Sequence, residues 1–449
     1  KLEQNYRSTQ TILNAANAVI SNNIGRKSKS LWTDNGEGEK VNYTLYENGY
    51  DEAEGVASGI AEYVRDGWNY NDVAILYRTN AQSRALEEKL MIHNIPYKIY
   101  GGQNFYQRKE IKDILAYLKT IDNGLDGQAV KRIINVPKRG IGNTTIDRLQ
   151  EYADFNDITF WEALVNAKDI DTIKNAALSK LEPFVDLIGR LRAKEEFMSL
   201  KELAEAVIED TGYIESLSQN ETVEEVEARR ENLDEFINKV VSYEESCKEA
   251  GEEPTLSGLL EEVALIADID NLDESEPHVM LMTLHSAKGL EFPIVYMTGM
   301  EDGLFPSYMT IVSDDSTEIE EERRLCYVGI TRAEKILNLT SAKSRMVRGE
   351  TQMNKVSRFI NEIPKDYMHI ENNSSGYAKG RIAYGGTSDE PDTTGINMRA
   401  TARSILSSYG SGTPGGRAAG TYSSRKVKIN GGSNPGFGKD PMELFDLKK

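Results

Sequence analysis

Three short apolar runs constrain this chain more than any other feature. "VAILY" (residues 73–77), "VMLMTL" (279–284) and "FPIVYMTGM" (292–300) are continuous rather than alternating, and each is bounded by polar residues. Strands of this kind are buried on both faces, as in a parallel sheet covered by helices above and below. Helical patterns lie where such cover is needed. Ser8 or Thr9 is placed to cap a helix carrying Ile12, Leu13, Ala16, Val19 and Ile20 on one side. "VNYTLY" (41–46) reads as a strand. "DEAEGVASGIAEYVRDG" (51–67) reads as a helix with Val56, Ile60 and Val64 four apart, and "AQSRALEEKLMIH" (81–93) as another. The expected fold class is α/β with a parallel sheet.

The first run is some 200 residues from the other two, and the stretch between them is helical. From about residue 105 to 266 come "RKEIKDILAYLKTI", "TTIDRLQEYADF", "AALSKLEPFVDLIGRLRA", "LKELAEAVIEDTG", "VEEVEARRENLDEFINKVVSYEES" and "LSGLLEEVALIA". Their charged faces read as solvated helix surfaces. After the acidic linker "DIDNLDESEP" (268–277) the strands resume, with a helix through "EIEEERRLCYVGI" (318–330) and a strand at "KILNLTSA" (335–342). The economical reading is one α/β domain, residues 1–104 and 276–366, interrupted by an all-helical insertion, 105–275. Residues 367–449 hold 14 of the 36 glycines and little periodicity, so a flexible tail is expected there.

Charge bears on partners. The net charge is −19, yet from residue 367 onward 11 Lys/Arg stand against 7 Asp/Glu. A global acidic balance speaks to solubility, whereas a local basic groove decides nucleic-acid binding. No apolar stretch approaches the roughly 20 residues of a membrane span. The two cysteines, Cys247 and Cys326, form no CxxC, so neither a zinc site nor a disulfide framework is expected, and a reducing cytoplasm is the expected setting. The chain opens at Lys1 without an initiator Met, and is expected to begin inside a longer protein.

Ligands of open parallel sheets gather beyond the carboxyl ends of strands. "TLHSAKGLEFPIVYM" crowds Thr283, His285, Ser286 and Lys288 between two apolar runs, and Glu291 opens the second. Glu291 can accept a hydrogen bond from a ribose hydroxyl or cap local backbone. "YRTNAQSR" (77–84) offers Arg78, Asn80 and Gln82; the bland alternative is a helix start. "VPKRGIGNTTIDRL" (136–149) has the look of a helix-hairpin-helix. There Gly140 and Gly142 permit a tight turn, Thr144 caps the next helix, and Lys138 and Arg139 add charge for a phosphate.

Two arginines carry the sharpest idea. Arg7 in "LEQNYRST" and Arg332 in "VGITRAEK" each offer a planar, permanently charged fork suited to a phosphate in transfer. Tyr6 beside Arg7 can stack on a base. The alternative pairs each arginine with a nearby carboxylate, and Glu320, Glu321 and Glu322 are available. No GxxxxGK[ST] loop occurs in the sequence, and no apolar strand ends convincingly in paired acids for Mg²⁺. A nucleotide reaction would therefore find only one wall of its site here, and no metal ligands are assigned.

Taken together and in this order, "LEQNYRST", "LYRTNAQSR", "VPKRGIG", "TLHSAKGLEFPIVYM" and "EEERRLCYVGITRAEK" resemble the UvrD/Rep/PcrA helicases of superfamily 1, most of all their PcrA branch. The resemblance covers about residues 1–366. It implies an ATP-driven 3′-to-5′ DNA helicase built of two RecA-like domains, each with an inserted subdomain. This chain would be the second RecA-like domain (2A) with its helical insertion (2B). The P-loop, the Mg²⁺ ligands and the water-activating glutamate would lie in an N-terminal motor domain of the same protein.

By the same resemblance, Arg7 and Arg332 reach the γ-phosphate of ATP, Tyr6 stacks on adenine and Glu291 meets the ribose. Thr283, His285 and Lys288, with Arg78 and Asn80, fall where the family holds single-stranded DNA. Lys138, Arg139, Gly140 and Gly142 resemble its duplex contact, and the tail is the expected place for protein partners. Two other readings stay open. One is a non-catalytic DNA-binding or adaptor module derived from a helicase, against which the phosphate-facing arginines count. The other is the motor subunit of a helicase–nuclease, which needs a nuclease domain that the low-complexity tail does not offer.

Overall fold

Each apolar run becomes a strand whose two faces are covered by different helices. The computed structural model of the chain describes residues 4–24, 31–219, 221–269 and 277–374. Its strands are β1 (Val41–Asn48), β2 (Val73–Tyr77), β3 (Tyr97–Ile99), β4 (Val279–Thr283), β5 (Phe292–Met297), β6 (Glu301–Asp302), β7 (Ala333–Val347), β8 (Glu350–Met353), β9 (Lys355–Val356) and β10 (Met368–Asn373). Helices α1 (Gln10–Ile20), α2 (Gly49–Arg65) and α3 (Ser83–Ile92) accompany the first strands. The helical segment holds α4 (Lys109–Asp122), α5 (Gly127–Ile133), α6 (Asn143–Asn156), α7 (Phe160–Val165), α8 (Asn175–Glu195), α9 (Leu200–Asp210), α10 (Tyr213–Leu217), α11 (Val223–Glu249) and α12 (Leu256–Ile269). The chain then returns to the sheet with α13 (Tyr308–Val312), α14 (Ser316–Ile330) and α15 (Arg358–Asn361).

The sheet runs β10-β1-β7-β5-β2-β4-β3, every neighbouring pair parallel, with β8 folded back antiparallel on β7. Strand β2 shows why. Val73, Ile75 and Tyr77 point into a core completed by Val56 and Ile60 of α2 and Leu86 and Leu90 of α3. Ala74 and Leu76 point the other way, to Ile12 and Ala16 of α1 and Cys326 and Ile330 of α14. A one-residue slip would exchange the two sets, so burial on both faces fixes the register. The expected α/β class is what the chain adopts. The helical segment has a separate core around Ile114, Tyr117, Phe184, Leu203 and Phe236.

Four expectations change. Thr9 holds the N-cap position of α1, but no side chain caps it. Ser8 instead donates from Oγ to the Ala333 carbonyl at 2.6 Å, fastening the entry loop to β7. The N-cap of helix α6 lies two residues earlier than read, at Gly142, with Thr144 inside the first turn. Residues 368–373, assigned to a flexible tail, pair as β10 with β1. Finally, the charged helix faces are not all solvated. Lys239 of α11 is 1% exposed, where α11 meets α3 and α12. The tail beyond residue 374 and most of the acidic linker lie outside the described residues.

Candidate functional site

The entry loop and the end of α14 bring the two arginines together. Asn5 Oδ1 accepts the amides of Arg7 (2.8 Å) and Ser8 (2.9 Å), closing a short turn. Asn35 Nδ2 donates to the carbonyls of Tyr6 (3.1 Å) and Arg7 (3.0 Å), holding the loop from its other side. The Thr9 amide donates to the Glu334 carbonyl at 3.1 Å, so the loop lies along the start of β7.

Arg332 follows Thr331, the C-cap of α14. Its Nε donates to the Val328 carbonyl (2.9 Å), one Nη to the Leu290 carbonyl (2.9 Å) and the other to Thr331 Oγ1 (3.2 Å). Among the described residues no carboxylate forms an ion pair with it. Burial first, and the neighbouring Arg7 second, push its guanidinium below the usual arginine range. Arg7 donates from Nε to Glu291 and from Nη1 to the Thr331 carbonyl at 3.2 Å. Glu320 and Glu321 pair with Arg324, and Glu322 with Arg78, so none of those three glutamates takes Arg7 or Arg332. Arg7 thus takes the one carboxylate, Glu291, while Arg332 beside it has none, and the cluster keeps a net positive charge. Tyr6 is 77% exposed, with its hydroxyl donated to Gln4 Oε1 at 2.7 Å.

A second cluster forms at the other end of the strands. Tyr77 and Thr283 are paired at the carboxyl ends of β2 and β4, whereas Phe292 and Ala333 pair at the amino ends of β5 and β7. Five residues of strand separate the two ends, roughly 15 Å. Glu291, which opens β5 as expected, and Arg332 therefore lie at the amino ends of the strands, with Arg7 beside them. Thr283 accepts the Ser286 amide at its Oγ1 (3.2 Å), turning the chain over. His285 and Lys288 stay exposed. Partial burial of the ring first, and the Arg78 guanidinium second, push the His285 imidazole below its usual range. At pH 7 it offers a neutral ring. Arg78 forks onto Glu322 at 2.7–3.2 Å, which neutralises it, while Asn80 is exposed. The connection of residues 284–291 runs back from this cluster to the arginines, ending at the Leu290 carbonyl and Glu291.

The turn between α5 and α6 departs from expectation in a second residue besides Thr144. Gly140 adopts φ +72°, a left-handed conformation that glycine takes without a steric cost, and Gly140, Gly142 and Lys138 are exposed. Arg139, however, points inward. It donates to the carbonyls of Ile133 (2.9 Å) and Pro137 (3.2 Å) and to the Tyr117 hydroxyl (2.6 Å), and lies over the Phe184 ring. It shapes the turn rather than facing a phosphate. The basic partner that sequence reading missed is Lys180 of α8, exposed and donating to the Gly140 carbonyl at 2.9 Å. Its distance along the chain left no local signal. Among the described residues no group of three or more His, Cys, Asp or Glu side chains is arranged to hold a metal ion, and no helix is long and apolar enough to cross a membrane.

Known proteins resemble this chain over most of its length. The family model of the UvrD-like helicase C-terminal domain matches residues 1–344. The ATP-dependent DNA helicase PcrA of Staphylococcus aureus strain Mu50 is 50% identical over 375 residues, 84% of this chain and 50% of that protein. PcrA of Staphylococcus epidermidis strain RP62A is 48% identical over 367 residues, 82% of this chain and 50% of that protein. The chain thus spans about half the length of the curated relatives it matches. A crystal structure of the C-terminal domain of a possible DNA helicase from Lactobacillus plantarum aligns over 81% of this chain and 98% of its own, at 10% identity. Its TM-score of 0.30 is too low to carry argument.

Proposed function

This chain belongs to the UvrD-like helicases through their C-terminal domain, and from that premise we propose that it is the second motor half of an ATP-dependent 3′-to-5′ DNA helicase. Residues 1–104 and 276–366 serve as the second RecA-like domain, and residues 105–275 as its insertion. The protein works in the bacterial cytoplasm on single strands and duplex junctions, in DNA repair or replication, together with the N-terminal motor domain of the same protein. One observation carries this reading. Two guanidinium groups, Arg7 and Arg332, lie near a single carboxylate, Glu291, which among the described residues pairs with Arg7 alone, and the loop of Arg7 also presents an exposed aromatic ring, Tyr6. A net positive charge fits a terminal phosphate, and the ring fits a base. When bound, Mg²⁺ neutralises phosphate charge; its ligands belong to the N-terminal half in this reading.

Arg332 then holds its fork toward the transferring phosphate, with its position set by three protein hydrogen bonds. Arg7, braced by Glu291, adds the second charge, and Glu291 keeps one oxygen for a ribose hydroxyl. At the far end of the strands Thr283, His285, Lys288 and Asn80 meet a single strand. The connection of residues 284–291 joins the two ends, so movement at the phosphate reaches the strand. Each base gripped is worth about 1–3 kcal/mol, so grips must tighten and relax in turn for the protein to advance.

The test compares the chain alone with the full-length protein. The chain, which has no phosphate-cradling GxxxxGK[ST] loop, is expected to show no ATP hydrolysis, and the full-length protein to show DNA-stimulated hydrolysis. DNA-stimulated turnover by the chain alone would overturn the reading.

Lys138 and Lys180 are expected to contact a duplex. Replacing both with alanine in the full-length protein should lower the salt slope of binding to a 3′-tailed duplex by up to about 2. Affinity for a plain single strand should hold, and equal losses on both substrates would remove the separate duplex contact.

A further inference from the structure

Among the buried charged groups that the nucleotide and strand clusters leave unused, one lies on strand β7. Strand β7 outruns its neighbour: Leu339 pairs with Met297, the last residue of β5, and β7 continues to Val347. On this extension lies Arg345, held between two buried glutamates. Its Nε and one Nη donate to Glu301 at 2.7 and 2.6 Å, and the same Nη donates to Glu52 in the first turn of α2. Glu301 also accepts the Ala342 amide and the Asn354 side chain, both at 2.7 Å. Glu52 accepts the Gly299 amide at 3.0 Å and the Thr340 hydroxyl at 2.6 Å.

Two carboxylates and one guanidinium are costly to bury, and apolar side chains would join α2 to β7 at less cost. What the ionised group supplies is direction: its carboxylates take main-chain amides, and one of them, Gly299, belongs to the turn that leaves β5. Gly299 has φ +72°, and a Cβ there would overlap the Gln82 amide. Gln82 Oε1 in turn accepts the amides of Arg78 and Thr79, each at 2.9 Å. The contacts run without a break from Arg345 through Glu52 and Gly299 to Gln82 and the main chain from which Asn80 projects.

We infer that Arg345 is a positioning residue for the single-strand-facing loop of residues 78–82, acting through Glu52, Gly299 and Gln82. This rests on the reading that the loop faces DNA. The experiment uses the full-length protein, with binding of a labelled oligothymidylate followed by anisotropy and KM for ATP measured alongside. Arg345→Met is expected to weaken strand binding about tenfold, the scale of one lost base contact. Arg345→Lys should recover part of that loss, and KM for ATP should change less than about twofold, because Arg7 and Arg332 lie at the amino ends of the strands.

Gln82→Ala, which leaves the buried ions in place, is expected to reproduce the strand-binding loss with an unchanged melting temperature. If Arg345→Met fails to fold, Gln82→Ala decides alone. Unchanged strand binding in Gln82→Ala, or parallel losses for strand and ATP in Arg345→Met, would overturn the inference. Loss of strand binding in Asn80→Ala, with Gln82→Ala unaffected, would remove the positioning role and leave the DNA-facing loop intact. Unaffected binding in both would show that the loop does not face DNA.

Discussion

An Arg332→Ala substitution in the full-length protein is expected to lower ATP turnover by about 10³-fold or more, while single-strand affinity changes by less than about threefold. The magnitude follows from what an arginine fork does for a phosphate in transfer, about 4 kcal/mol of barrier at that factor. The structure sharpens the alternative that must be beaten. Arg332 makes three hydrogen bonds to its own chain, to Val328, Leu290 and Thr331, so it also fastens the end of α14 to the connection before β5. A residue that only fastened loops would lose stability on truncation, and turnover would fall modestly with it. Arg332→Lys separates the two roles. It keeps the charge but loses the fork and the fixed geometry, so turnover should still fall by well over tenfold with the melting temperature near that of the parent. A loss below about tenfold in Arg332→Ala would make Arg332 a fastener and move the phosphate role to Arg7 alone.

That both arginines could be singled out from sequence, and Arg345 could not, has a physical reason. Arg7 and Arg332 sit in short polar stretches beside apolar runs, where a local pattern marks a loop leaving a core. The sheet was legible for the same reason, since β2 and β5 are apolar throughout and β4 is apolar up to Thr283. Strand β10 was not, because "MHIENN" lies on an exposed edge and buries only Met368. Pairings were the least legible. Arg78 and Glu322 are 244 positions apart, and Arg84 and Glu235 are 151 apart. Nothing within reach of either arginine along the chain announces that distant partner. Arg139 misled for a related reason: a basic residue beside a glycine turn looks solvent-facing until Tyr117 and Phe184 arrive from other helices.

The buried charges where α3 meets α11 and α12 should dominate the stability of the junction between the sheet and the helical segment. Arg84 donates to both oxygens of Glu88 (2.9 and 3.0 Å), to Glu235 of α11 (2.7 Å) and to the Tyr50 hydroxyl (2.8 Å). Burial works against ionised Glu88, yet Arg84 and then Lys239 hold its carboxyl below the usual range. Lys239 in turn reaches Glu262 of α12 at 2.6 Å. Arg84→Met keeps much of the volume but leaves Glu88 and Glu235 short of their shared counter-charge. Breaking one partner of a buried ionic network costs about 3–5 kcal/mol, because the remaining charge is desolvated without compensation. That loss should appear as a lower midpoint in urea unfolding of the chain. Removing Glu88 as well, in Arg84→Met/Glu88→Leu, should restore part of it, since the stranded carboxylate goes with its partner. A loss below about 1 kcal/mol in the single variant would mean that water already reaches these groups and that the junction is held by its apolar contacts.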